Sequence, residues 1–69
     1  MNFSLEGKPH IELIKLLKVE GLVATGGEGK IAIQEGHVLV NGEVDQRKRR
    51  KLVVGDVVSF GDKEVIVKT

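Results

Sequence analysis

The chain contains no cysteine, no tryptophan and no tyrosine, and its only aromatic rings are Phe3 and Phe60. The lack of cysteine excludes disulfides and thiolate metal ligands. His10 and His37 have no carboxylate cluster close to them in the sequence, so neither a metal site nor a cofactor is expected. Proteins that grip single strands by stacking bases need aromatic platforms, and two phenylalanines make a poor supply. Any contact with nucleic acid is left to phosphates, sugars and shape. No apolar run approaches the ~20 residues of a membrane span. The start, Met1 to Glu6, has no charged head followed by an apolar block, so no secretory signal is expected. A cytoplasmic location without a membrane partner follows as the expectation.

Sixty-nine residues are enough for one domain, 1–69, with a thin core. A monomer is expected. The net charge is only +1, yet it is unevenly spread. Residues 1–36 carry four lysines against five glutamates, and residues 37–69 carry seven basic against five acidic side chains. Five of the eleven cations stand together as Arg47-Lys48-Arg49-Arg50-Lys51. A local basic patch can hold a phosphate backbone while the rest of the surface keeps the protein soluble.

Periodicity and turn chemistry outline the elements. Phe3 to Leu5 fits a short strand, ended by Gly7. Pro9 suits the first turn of a helix, where its missing N–H costs nothing. Leu13, Leu16 and Leu17, with Ile14, make one apolar stripe, and Gly21 stops the helix. Thr25 and Glu28 form a capping box for a second helix, which runs to about Glu35 and ends at Gly36. Ala32 and Ile33 should face inward, Ile31 partly so. Gly29 suits a close approach by a neighbouring backbone. Val38 to Val40 is a strand, and Asn41-Gly42 is the strongest short hairpin signal. Glu43 and Val44 begin the return strand, and further strands are expected at Val57 to Phe60 and Lys63 to Lys68, with turns at Gly55-Asp56 and Gly61-Asp62. The fold class is α+β: two short N-terminal helices packed on a small, mostly antiparallel sheet.

The basic run is the first functional candidate. If it is extended, Arg47, Arg49 and Lys51 share a face at about 6.7 Å spacing, given ~3.3 Å rise per residue. That spacing is comparable to successive phosphates on a strand, and arginine adds bidentate bonding. Five cations exceed what protection of a sheet edge needs. On this reading Arg47 and Arg49 face solvent, and reversing their charge leaves the fold intact. The second candidate is Thr25-Gly26-Gly27, where uncovered backbone N–H groups stand at a positive helix end. The glycines do not have the spacing of a nucleotide-binding loop. Asn41 reads as a turn residue and His37 as a surface residue beside a helix stop. No catalytic constellation is present, and an enzyme is not expected.

The order of elements, with Gly36-His37-Val38-Leu39-Val40-Asn41-Gly42 and then Val54-Gly55-Asp56-Val57-Val58, resembles the RNA-binding domain of small-subunit ribosomal protein four, the S4 domain with its alpha-L motif. Leu13, Lys15, Leu17, Gly21-Leu22, Thr25 and Ile33 fit the same pattern, over residues 9–60. Within that family the chain is similar to the small stand-alone bacterial members. The resemblance implies binding of structured RNA, often ribosomal or transfer RNA, by a positive face built from the helix pair and the loop after it. Where the family often has basic residues, this chain has Glu12, Gly26, Ile31 and Gln34. Lys15, Lys18 and Lys30 remain on the helical face, and the family motif adds His37. The candidate RNA-binding set is therefore Lys15, Lys18, Thr25, Gly26, Gly27, Lys30, His37, Arg47, Lys48, Arg49, Arg50 and Lys51.

The leading expectation is a non-catalytic RNA-binding module, with ribosome-associated proteins as further partners. The alternative is a protein-interaction adaptor whose basic strand docks on an acidic partner. An RNA-modifying enzyme would need a catalytic set that the chain lacks, although the chain could serve such an enzyme in trans.

Overall fold

The computed structural model describes residues 1–69. Strand β1 (Asn2–Ser4) is followed by a two-residue strand β2 (Ile11–Glu12), helix α1 (Leu13–Val19) and helix α2 (Gly26–Gln34). Then come β3 (Val38–Val40), β4 (Glu43–Val44), β5 (Lys51–Leu52), β6 (Val57–Phe60) and β7 (Lys63–Lys68). The architecture is α+β, as the sequence suggests, but two strands precede the helices. The main sheet has the order β1-β7-β6-β3-β4, all antiparallel except β1 against β7. A separate ladder pairs β2 with β5.

Each element follows from local chemistry plus burial. Leu13, Leu16 and Leu17 lie on one stripe of α1 and are fully buried. Burial of each contributes roughly 1.5–3 kcal/mol. Beneath them lie Val38, Val40, Val58, Val65 and Val67, the inward face of the sheet. Gly21 and Gly36 adopt positive φ and close both helices in the same way. Leu22 N–H bonds to Leu17 O and Gly21 N–H to Lys18 O, while His37 N–H bonds to Ala32 O and Gly36 N–H to Ile33 O. These paired bonds satisfy carbonyls that would otherwise be orphaned.

The structure corrects several details of the sequence reading. Helix α1 begins at Leu13 and not near Pro9, because Ile11-Glu12 is drawn into the ladder with Lys51-Leu52. The capping box is shifted by one residue. Thr25 Oγ1 accepts from Glu28 N–H at 3.1 Å, but Glu28 Oε1 accepts from Ala24 N–H, not from Thr25. Ile31 is exposed. Gly29 makes room for side chains rather than backbone: a methyl there would come within 2.6 Å of Ile14 Cδ1 and 3.2 Å of Val23 Cγ2. Arg47 to Lys51 is not a strand. Arg50 N–H returns to Arg47 O at 3.1 Å, Lys48 and Arg49 lie at the tip of that turn, and only Lys51 belongs to β5. The evenly spaced ladder of cations therefore does not form.

Candidate nucleic-acid interface

The basic turn is held chiefly through its backbone and one buried carboxylate. Leu13 N–H, the first of α1, donates to Arg50 O at 2.9 Å, and Ile14 N–H donates to Lys48 O at 3.0 Å. The turn thus takes up donors that a helix start leaves free. Gln46, just before it, donates from Nε2 to Gln34 O at the C-terminal end of α2. The turn is docked where α1 starts and α2 ends.

Asp45 is only 6% exposed. Its Oδ1 accepts from Arg47 N–H and Nε, both at 3.0 Å. Its Oδ2 accepts from Arg47 Nη2 at 2.8 Å and Arg50 Nη1 at 2.6 Å. The Arg47 side chain is the main cause holding this carboxyl well below the usual aspartate range, with Arg50 adding to it against the opposing effect of burial. The same hydrogen bonding pushes the Arg47 guanidinium up. Two of the five cations are thus paired: Arg47 faces solvent as the sequence suggested, its side chain 70% exposed, but its guanidinium is bound to Asp45 and is not a free charge. Lys48, Arg49 and Lys51 are exposed and have no carboxylate partner. A shallow, open depression on this surface is lined by Arg47, Arg49, Arg50 and Lys51 alone.

The other candidates lie elsewhere on the helix pair. Lys18 reaches across to the start of α2, where a Cβ placed on Gly26 would lie 3.8 Å from its Nζ. Thr25 is occupied as the cap, and Gly27 is exposed. Lys15 and Lys30 are exposed on α1 and α2. A seven-residue α1 spans about 10 Å at 1.5 Å per residue, so the turn and the Lys18–Gly26 corner stand about a helix length apart. That separation is comparable to the Debye length at physiological salt, so direct repulsion between the two patches is partly screened. His37 sits just past the end of α2; its side chain lies 3.5 Å from Glu35 and its backbone closes the helix. No three metal-ligating side chains come together.

Sequence reasoning missed Asp45 and Gln46 as organisers of the turn. It also underrated Asn41. The Asn41-Gly42 turn does adopt positive φ at both residues, 54° and 84°. In addition, Asn41 Oδ1 accepts from Val57 N–H at 2.9 Å and Asn41 Nδ2 donates to Asp56 Oδ1 at 3.0 Å. One side chain therefore joins the β3–β4 turn to the start of β6.

The glycine stop after α2, the Asn41-Gly42 hairpin and the Gly55-Asp56 turn now stand in one geometry, and the S4 domain family model matches residues 3–68. The chain belongs to the S4 domain family. It is 52% identical over 65 residues to YbcJ of Escherichia coli (strain K12), provisionally named an RNA-binding protein, covering 94% of this chain and 93% of that one. It is 44% identical over 59 residues to RlbA of Bacillus subtilis (strain 168), named a probable ribosome maturation protein, covering 81% and 83%. The solution structure of YbcJ superposes with a TM-score of 0.76 at 50% identity, covering 99% of this chain and 86% of that one. It is described as revealing an alpha-L motif involved in RNA binding.

Proposed function

We propose that residues 1–69 act as one non-catalytic module that binds structured RNA through phosphates and shape. The observation that carries this reading is the rigidly docked turn, which presents Lys48, Arg49 and Lys51 without carboxylate partners. The scarcity of aromatic rings argues for backbone contact over stacking. The Lys15, Lys18 and Lys30 side chains and the Thr25-Gly26-Gly27 helix start form a second, weaker patch. The name carried by YbcJ supports RNA as the partner, and RlbA is named for ribosome maturation; a ribosome- or tRNA-related RNA is the finer reading we offer.

Binding of a labelled RNA stem-loop across a salt series tests this. Three neutralised phosphates give a log–log salt slope of about −2 to −3, using ~0.7 per phosphate in the single-stranded loop and ~0.9 in the duplex stem. Replacing Lys48 and Arg49 by Glu, and Lys51, which stands opposite Glu12 in the β2–β5 ladder, by Gln should weaken binding by about tenfold or more and flatten that slope. The fold should persist, because the carbonyls that hold the turn are unchanged. Binding that is absent at low salt, or insensitive to salt, refutes the reading. Partners that co-purify after nuclease treatment would favour the adaptor alternative instead.

A further inference from the structure

We propose that Asp45 is a positioning residue for phosphate binding: it locks Arg47 and Arg50 into the base of the turn, so that Lys48, Arg49 and Lys51 are presented as the contacting cations. This inference rests on the RNA reading above and adds a division of labour within the basic run.

The argument starts from an apparent contradiction. A carboxylate beside five cations lowers the positive potential that a polyanion would meet. A purely electrostatic site would be better without it. Yet Asp45 is buried, and its two oxygens accept four N–H bonds from Arg47 and Arg50. The Arg47 contact is a two-pronged guanidinium fork, the geometry that fixes orientation as well as distance. Lys48, Arg49 and Lys51 still lose rotamer freedom when they bind a phosphate; what Asp45 orders beforehand is the segment that carries them, through its bond from Arg47 N–H at one end and the Arg50 guanidinium at the other. The backbone supports the same reading. Asp45 N–H is bonded to Val38 O, which ties the residue to the start of β3. Beyond the paired arginines, Lys48 and Arg49 occupy the tip and Lys51 begins β5. The all-cationic depression combines members of both sets: Arg47 and Arg50, bonded to Asp45, beside the free groups of Arg49 and Lys51.

The two views predict opposite signs. Asp45→Asn raises the local charge by one unit while keeping size and shape. Simple electrostatics then expects tighter RNA binding. Positioning expects weaker binding: the amide keeps one accepting oxygen for Arg47 N–H and Nε, but an NH₂ in place of Oδ2 cannot accept from Arg47 Nη2 and Arg50 Nη1, so the fork opens and Arg50 is released. The experiment compares the wild-type chain, Asp45→Asn and Asp45→Glu by fluorescence anisotropy with a fluorescein-labelled RNA stem-loop. In parallel, ¹H–¹⁵N spectra follow the Arg47 Nε–H, whose bond to Asp45 slows its exchange, and the core amides of Val58 and Val65. Asp45→Asn should bind about tenfold more weakly and speed the exchange of Arg47 Nε–H as the opened fork leaves it a single neutral acceptor, with the core amides unmoved. Asp45→Glu, which restores the carboxylate, should recover both the slow exchange and most of the affinity. If Asp45→Asn binds as tightly as wild type or tighter, the inference is overturned while the RNA reading stands. If Asp45→Asn disturbs the core, Asp45→Glu decides: a folded protein with the Arg47 contact restored but weak binding overturns the inference. Failure of the wild-type chain to bind at all overturns the RNA reading, and the division of labour with it.

Discussion

Asn41→Gly separates two roles that the sequence cannot tell apart. If Asn41 served only its turn, glycine would replace it at little cost, since glycine adopts positive φ freely. The structure gives Asn41 two further bonds, from Val57 N–H and to Asp56 Oδ1. Each is worth about 0.5–1.5 kcal/mol net, and exposure puts the pair near the lower end, about 1–2 kcal/mol together. At ~4–8 °C per kcal/mol for a domain of this size, the melting temperature should fall by on the order of 10 °C. Asn41→Ala should fall further by about 1 kcal/mol, because alanine resists the left-handed conformation. Thermal denaturation followed by circular dichroism measures both. A double-mutant cycle with Asp56→Ala isolates the side-chain pair, with an expected coupling of about 0.5–1 kcal/mol. An Asn41→Gly protein melting within about 2 °C of wild type would refute the clamp, since a loss of 1 kcal/mol should shift it further.

Gly26→Arg should tighten RNA binding about threefold by adding a phosphate contact beside Lys18, and unchanged affinity would show that this corner is not used. Acid stability should report on Asp45. Its folded value lies below the ordinary 3.8, so its stabilisation is fully present above that pH and is lost as pH falls below it. Melting temperature against pH should therefore drop more steeply below 3.8 for wild type than for Asp45→Asn, and parallel curves would contradict the pairing.

What could be read from the sequence was local. Thr25 with Glu28, the glycines at 21 and 36 and Asn41-Gly42 act within four residues of themselves, and all appear as turns or caps. The period-two pattern placed Val65 and Val67 on one buried face. The errors came where distant contacts decided the outcome. Nothing near Pro9 announces that Ile11-Glu12 will pair with a segment forty residues later. That ladder delays α1 and takes Lys51 into β5. Asp45 was hidden for a different reason. Beside a run of five cations a lone acid reads as one more surface charge, although its spacing two and five residues ahead of Arg47 and Arg50 is the sign of a local fork. The candidate site was thus visible as composition, while its shape and the pairing of its charges required the fold.

The docking of the basic turn has a consequence for change over time. Leu13 and Ile14 hold it by the carbonyls of Arg50 and Lys48, groups that every amino acid possesses. Side chains at 48 and 49 can therefore be exchanged without loosening the attachment. The turn resembles a tool holder with interchangeable bits: relatives sharing this scaffold could evolve toward different targets by altering two or three letters, with the frame left untouched.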